Sequence, residues 1–397
     1  MDIYGIYLYI TNKCNFECDF CRIDSKKYTT KEKINISKYL NNIVLSDKKP
    51  KYVCISGGEP TLFLKELIKI IKFLRKCGVQ KVFMETNGSY ASSYKKALKI
   101  TKKLSMAGLT GIGFSFDTEH LKEIPFSYII NGIKAALKMK LVVKAAIIDK
   151  RNTVNINNMY LYQLIHELNA KYNFFLNNFI GKLTRLLIGI KYILLKVDGS
   201  ILIIKRSGVV YFGRAKSLKG EFQIDKFYSF DMVDKIINVG VPCSYRKSHP
   251  ITVDWNGNIF FCPMALNQPK VFSFGNIKKN NLFKAVENSR KEIGNITFSR
   301  IGLIKFYIYA KKNLDIIGFK EVLNKKYSSI CDFCIIAHYK DIVKNFRYIN
   351  LDLLLILNHF LRHLLDVFIE SLGGAVRYII SNEKTNRILL KTIQVLY

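Results

Sequence analysis

The sequence predicts an α/β fold: a barrel of parallel strands joined by crossover helices, followed by a smaller α+β part and a helical tail. Two observations carry this. From Ile3 to Ile148 the chain repeats strand, loop, helix, the order that a parallel sheet with crossover helices requires. Each short motif rich in Cys, Gly, Asn, Ser or Asp also falls directly after a predicted strand, where barrels of parallel strands carry their binding residues.

The elements follow in order. Ile3 to Ile10 is β-branched and aromatic and reads as a strand that stops at Cys14-Asn-Phe-Glu-Cys18-Asp-Phe-Cys21. Ile34 to Leu45 has a helical pattern. Lys51 to Ser56 is a short apolar strand running into Gly57-Gly58-Glu59-Pro60, where glycine allows close backbone approach and proline ends the strand. Leu62 to Lys76 is helical, with Gly78 just beyond its end. Lys81 to Glu85 is a strand ending in Thr86-Asn87-Gly88, and a helix follows from Ala91 to Met106. Gly111 to Phe116 is a strand ending in Ser115-Phe116-Asp117, then come a helix from Ser127 to Met139 and a strand from Leu141 to Ile148. Tyr160 to Leu176 is the expected fifth helix. Leu186 to Ile204 is apolar but broken by Lys191, Lys196 and Asp198, too broken to span a membrane. Asp198-Gly199 marks a turn, and Ile201 to Phe212 reads as the sixth strand, ending in Gly213-Arg214-Ala215.

The CxxxCxxC run sets three thiolates on one short loop. Soft sulfur selects zinc, copper(I) or an iron-sulfur cluster. Three ligands leave a structural zinc one short, whereas a [4Fe-4S] cluster on three cysteines keeps one iron open. This spacing, with Phe20 before the last cysteine and Thr11, Asn12 and Asn15 beside it, resembles the radical S-adenosylmethionine (radical SAM) superfamily. Gly57-Gly58-Glu59-Pro60 is similar to the glycine-rich motif of that family. The resemblance implies a partial (β/α)6, TIM-like barrel over residues 1–235. It implies a SAM-binding [4Fe-4S] cluster on Cys14, Cys18 and Cys21. It also implies SAM contacts from Phe20, Gly57, Gly58, Glu59, Pro60, Asn87, Ser115 and Asp117. Asp117 and His120 are expected at the mouth of the barrel, with His120 either in substrate or proton chemistry or in a plain surface or capping role.

A second cysteine set comprises Cys243, Cys262, Cys331 and Cys334. Asn256-Gly257 is a hairpin signal between apolar runs, able to bring Cys243 toward Cys262, and Cys331-Asp-Phe-Cys334 offers a two-residue bite on one metal. Four sulfurs suit zinc or an iron-sulfur cluster. The spacing, with Phe274-Gly275-Asn276-Ile277 between, resembles the twitch form of the SPASM extension of radical SAM enzymes. That resemblance implies an auxiliary [4Fe-4S] cluster in a domain over 236–345. The match departs from a full SPASM domain in having fewer cysteines, and from compact twitch domains in the long insertion after Cys262. Residues 346–397 read as an amphipathic helical tail, with Leu353, Leu357, Phe360, Leu361, Leu364 and Phe368 at helical spacing. His359 and His363, one turn apart, lack an evident third ligand. Cys54 and Cys77 stand apart and are expected in the core.

At 397 residues, 49% hydrophobic and 13% aromatic, the chain is globular and long enough for a large core. No secretion signal precedes Cys14, and nine cysteines, mostly in CxxC-like clusters, suggest metal binding in the cytoplasm over disulfides. The formal net charge of +33 allows an anionic partner or simply a solvated basic surface. The lysines form no compact arm, so nucleic acid is not the expected partner. A basic zinc protein that binds nucleic acid is the competing class; the charge fits it, but Gly57-Gly58-Glu59-Pro60 and the three-ligand loop do not.

The resemblance implies reductive cleavage of SAM to a 5'-deoxyadenosyl radical, hydrogen abstraction from a substrate, and a low-potential electron donor such as flavodoxin or ferredoxin. With an auxiliary cluster, oxidative modification of a ribosomal peptide or protein side chain is the expected outcome, by dehydrogenation or cross-linking. Thirteen residues precede Cys14, so a separate leader-peptide-binding protein is expected with a peptide substrate. The alternative is dehydrogenation of a small molecule such as a sugar, alcohol or antibiotic precursor.

Overall fold

A computed structural model describes residues 3, 5–28, 36–44, 49–150, 153–172, 177, 191–208, 250–260, 266 and 273–289. Cys243, Cys262, Cys331, Cys334, Gly213-Arg214-Ala215, His359, His363 and the expected helical tail lie outside these residues.

The strands are β1 (Gly5–Tyr9), β2 (Lys13–Cys14), β3 (Lys26–Lys27), β4 (Tyr52–Ser56), β5 (Lys81–Thr86), β6 (Gly111–Ser115), β7 (Val142–Asp149), β8 (Lys171–Tyr172), β9 (Lys191–Val197), β10 (Ser200–Gly208), β11 (Pro250–Val253), β12 (Asn258–Phe260) and β13 (Ser273–Asn276). The helices are α1 (Leu64–Lys76), α2 (Tyr94–Met106), α3 (Thr118–Leu121), α4 (Phe126–Lys138), α5 (Val154–Glu167) and α6 (Leu282–Ser289). One sheet runs β13-β12-β11-β1-β4-β5-β6-β7-β10-β9-β8. Its six central strands, β1-β4-β5-β6-β7-β10, are parallel, as the strand-helix alternation predicts for a partial TIM-like barrel.

One face of these strands is apolar and covered by helices. Ile6, Leu8, Val53, Ile55, Val82, Met84, Ile112, Phe114, Val143 and Ala145 are buried there, in one core with Leu67, Ile70, Ile71 and Leu74 of α1 and Ile129 and Ile133 of α4. Alternation along each strand turns the intervening residues to the other face, the barrel interior.

Two elements differ from the sequence expectation. The segment from Ile36 to Asn42 forms a 3-10 helix rather than an α-helix. The fifth helix is Val154–Glu167, not Tyr160 to Leu176. Its buried face includes Asn157, which accepts from Thr118 N (2.9 Å) and Thr118 Oγ1 (2.8 Å) and donates to Ile148 O and Asp149 Oδ1. A polar residue on the inner face hides the apolar period that marks a helix. The broken apolar stretch before Ile204 resolves into the hairpin β9–β10, turning through Asp198 and Gly199, both at positive φ.

β11 adds to β1 in parallel, and β12 and β13 follow antiparallel. The Asn256-Gly257 turn is formed, with Gly257 at φ +88°. Asp254 ties it by accepting from Asn256 N, Asn258 N and Asn258 Nδ2. Because β11 runs parallel to β1, this turn reaches the same rim as the cysteine loop.

Candidate SAM and cluster site

The cysteine loop lies across the C-terminal ends of β1, β4, β5 and β6. Gly57 and Gly58 seat it there. Gly58 N donates to Thr11 O (2.8 Å) and Glu59 N to Lys13 O (2.7 Å). A Cβ at Gly58 would stand 1.9 Å from Lys13 O, and one at Gly57, whose φ is +156°, 2.5 Å from Thr11 O. The two glycines therefore serve close contact between two loops of the protein itself, a reason the sequence does not reveal.

Glu59 is fully buried. Its Oε1 accepts from Thr61 N (2.9 Å), Thr61 Oγ1 and Thr86 Oγ1 (2.8 Å), and its Oε2 from Asn87 N (2.7 Å). The carboxyl thus caps the turn at Pro60 and joins the ends of β4 and β5. Burial pushes its pKa above the usual range against these four donors. Asn87, also buried, donates from Nδ2 to Asn15 Oδ1 (2.9 Å) and approaches Cys14 Sγ at 3.7 Å.

Cys14, Cys18 and Cys21 are all free thiols. Cys14 Sγ accepts from Phe16 N (3.4 Å) and Cys21 Sγ from Ser25 N (3.3 Å). Burial pushes the Cys14 thiol up to about 12, with Glu59, Cys18 and Cys21 adding negative charge nearby. A bare thiolate is disfavoured in such a place, and one bound to a cation is not. Among the described residues no three His, Cys, Asp or Glu side chains close round a single metal ion. A four-iron cube places each thiolate on a different iron, so its ligands stand further apart. The donor set, the amide bonds to sulfur and the buried loop fit a three-cysteine cluster with an open iron.

The segment after β6 packs against this loop. Asp117 is buried and caps α3, with Oδ1 accepting from Glu119 N (3.1 Å) and His120 N (3.2 Å) and lying 2.9 Å from His120 Nδ1. Burial works against a charged His120 ring, but the Asp117 carboxylate and a bond to Cys18 outweigh it and raise its pKa well above the usual value. The His120 ring sits 6.3 Å from Phe16 and 5.6 Å from Phe20, centroid to centroid. Lys150, after β7, pairs with Glu119 and Asp19 and lies over the Phe20 ring at 5.6 Å. Ser115 points into the barrel from the end of β6.

The structure thus brings Cys14, Cys18, Cys21, Phe20, Gly57, Gly58, Glu59, Pro60, Asn87, Ser115, Asp117 and His120 to one rim. Cys54 is buried in the sheet, while Cys77 is half-buried at the end of α1. Sequence reasoning missed Lys150, Tyr9 with its bond from Arg22, and Trp255. The last packs with Cys21 against Tyr9, Ile23 and Phe260. Only strand pairing brings these residues together, so no local motif signals them.

Residues 8–157 match the radical SAM superfamily. Proteins named "Probable GTP 3',8-cyclase" are similar: 32% identity over 157 residues in Saccharolobus islandicus strain L.S.2.15, covering 36% of this chain and 47% of that protein. In Saccharolobus solfataricus the identity is 31% over 157 residues, with the same coverage. In Methanocaldococcus jannaschii it is 31% over 154 residues, covering 35% and 47%. The chain spans about half the length of these relatives. Among the described residues no helix is long and apolar enough to cross a membrane. Residues 8–157, the part of the parallel sheet that carries three cysteines on its first rim loop, are thus the region over which the chain is similar to the radical SAM superfamily.

Proposed function

We propose that this chain is a radical SAM enzyme in which Cys14, Cys18 and Cys21 hold a [4Fe-4S] cluster and the rim residues around them hold SAM. The observation that carries this is the joining of the cysteine loop to Gly58, Glu59 and Asn87 at the strand ends. When bound, cluster and SAM supply a 5'-deoxyadenosyl radical that takes hydrogen from a substrate C–H bond. The protein's own part is to hold the loop rigid, to bury Cys14 and Glu59, and to shield the rim with Phe16, Phe20 and His120. Asp117 fixes the His120 ring. The Glu59 oxygens and Gly58 N are engaged within the protein and hold the two loops together.

An oxidative outcome rests on the auxiliary [4Fe-4S] cluster proposed for Cys243, Cys262, Cys331 and Cys334. Of the two substrate classes, a small molecule is supported by the relatives' name, which points to a nucleotide. Peptide modification has the twitch resemblance alone. Anaerobic reconstitution, reduction with dithionite and assay for 5'-deoxyadenosine test the reading. Formation of 5'-deoxyadenosine by the wild type and its absence in the Cys14→Ala, Cys18→Ala, Cys21→Ala variant are expected; equal amounts from both would sink it. Adding GTP to the same assay tests the nucleotide directly through its consumption.

A further inference from the structure

Two residues separate Cys18 from Cys21, and both are held by a lysine that comes from far along the chain. Lys150, the residue after β7, is buried. Its ammonium pairs with Glu119 of α3, lies 3.6 Å from Asp19 Oδ2 and stands 5.6 Å from the centre of the Phe20 ring, within the range at which a cation is drawn to an aromatic face. Its main chain is pinned as well: Lys150 N donates to Thr153 Oγ1 (3.1 Å), and Thr153 N donates to Lys150 O (3.1 Å).

The two carboxylates are not equivalent. Glu119 is buried like the lysine, whereas the Asp19 side chain is 56% exposed. Glu119 is also fixed by its neighbours: its N–H donates to Asp117 Oδ1 (3.1 Å), and both its carboxylate oxygens accept from Lys122 Nζ at 3.0 Å. Thr118 beside it donates to Asn157, which in turn donates to Ile148 O and Asp149 Oδ1 at the end of β7. The pair of Glu119 and Lys150 therefore belongs to a joint between β7, α3 and α5, and the cysteine loop leans on that joint through Asp19 and Phe20. Stability alone gives little reason for the pair, because a buried ion pair adds little over apolar side chains of the same size. What a charge gives that an apolar side chain does not is direction: it fixes which carboxylate and which ring stand against it.

We propose that Lys150 is a positioning residue for SAM: by holding Asp19 and Phe20 it sets the turn between Cys18 and Cys21 and the orientation of Phe20, one of the expected SAM contacts. This rests on the radical SAM reading for the presence of SAM. It goes beyond that reading in naming a residue outside the cysteine and glycine motifs on which SAM binding depends. Lys150 is not a cluster ligand, so cluster loading and SAM binding part company when it is replaced. The three thiols and the bonds from Gly58 N to Thr11 O and from Glu59 N to Lys13 O remain, and only the segment from Cys18 to Cys21 loses its prop.

The test is a SAM titration of the reconstituted, dithionite-reduced protein, followed through the SAM-induced change in the cluster's EPR spectrum, with iron per chain measured on the same samples. Wild type is compared with Lys150→Arg and with Lys150→Met combined with Glu119→Gln, which removes the pair together so that no buried carboxylate is stranded. Iron per chain should be the same in all three. SAM affinity should weaken tenfold or more in the double variant and stay within threefold of wild type in Lys150→Arg. Lys150→Met alone, in which Glu119 keeps Lys122, should behave as the double variant does. On the metal-free chains, amide exchange at Asp19, Phe20 and Cys21 should be faster in the two Met variants, a readout that needs no cofactor. Equal SAM affinity in wild type and the Met variants would overturn the proposal. Loss of iron in step with loss of SAM affinity would overturn it too, by making Lys150 a support for the cluster loop and nothing more. A wild type that loads iron yet gives no SAM-induced change would contradict the radical SAM reading itself, and the proposal with it.

Discussion

Gly58 fixes how closely two loops of the site approach. A methyl group there would meet main-chain oxygen at 1.9 Å, and no rotamer change relieves a clash with backbone. Gly58→Ala is expected to cost about 3 kcal/mol and to leave iron content after reconstitution well below wild type, measured by denaturant titration and metal analysis. Asp117 acts through its cap: Asp117→Ala should lose about 1–2 kcal/mol, while Asp117→Asn should keep most of it. Glu119 supplies a pH signature. Burial pushes its carboxyl up, but bonds from Lys150 and Lys122 outweigh this and hold its pKa below the usual value. Its stabilisation is therefore present above the unfolded value of about 4.3 and is lost as pH falls through the lower folded value. Glu119→Gln should be less stable than wild type at pH 7, and the gap should close in acid. The types of residue at this rim were legible in the sequence; the engagement of Glu59 and Asp117 by the protein's own amides was not, because it depends on strands meeting.

At the scale of elements, α1 shows what periodicity can convey. Leu67, Ile70, Ile71 and Leu74 are all fully buried, and Gly78 follows at φ +81°, as helical spacing and a terminal glycine predict. Leu67→Ala should cost about 2–5 kcal/mol in a thermal or urea melt. In α5 the same reasoning slipped by most of two turns because Asn157 is buried by hydrogen bonding rather than by apolar contact. A second anchor of this region is Arg206 on β10, which reaches Asp149 Oδ1 (2.8 Å) and Oδ2 (3.0 Å) and also Asn158 of α5. Asp149→Ala should strand that guanidinium, half-buried, and loosen β10 from β7 by about 2–3 kcal/mol, with increased amide exchange along β10 as the readout.

Across the whole molecule, the parallel barrel was legible because a strand, a rim loop and a helix recur in fixed order. The place of Lys150 was not: Asp19, Glu119 and Lys150 meet only through strand order. The net charge of +33 hides this lysine further among many others. The strand β11 beside β1 was equally hidden, since a pairing across more than two hundred residues leaves no local trace. Its consequence is that Trp255 and Phe260 share a cluster with Cys21, so the chain beyond the matched residues 8–157 packs against the cysteine loop.

The central claim is that Cys14, Cys18 and Cys21 carry a cluster. Iron and sulfide per chain, measured after anaerobic reconstitution of the wild type and of the variant with all three changed to alanine, test it most directly. The account predicts a loss of about four irons with the three cysteines, from about eight to about four where the auxiliary cluster proposed above is also loaded. Iron content unchanged by removing the three cysteines would contradict it.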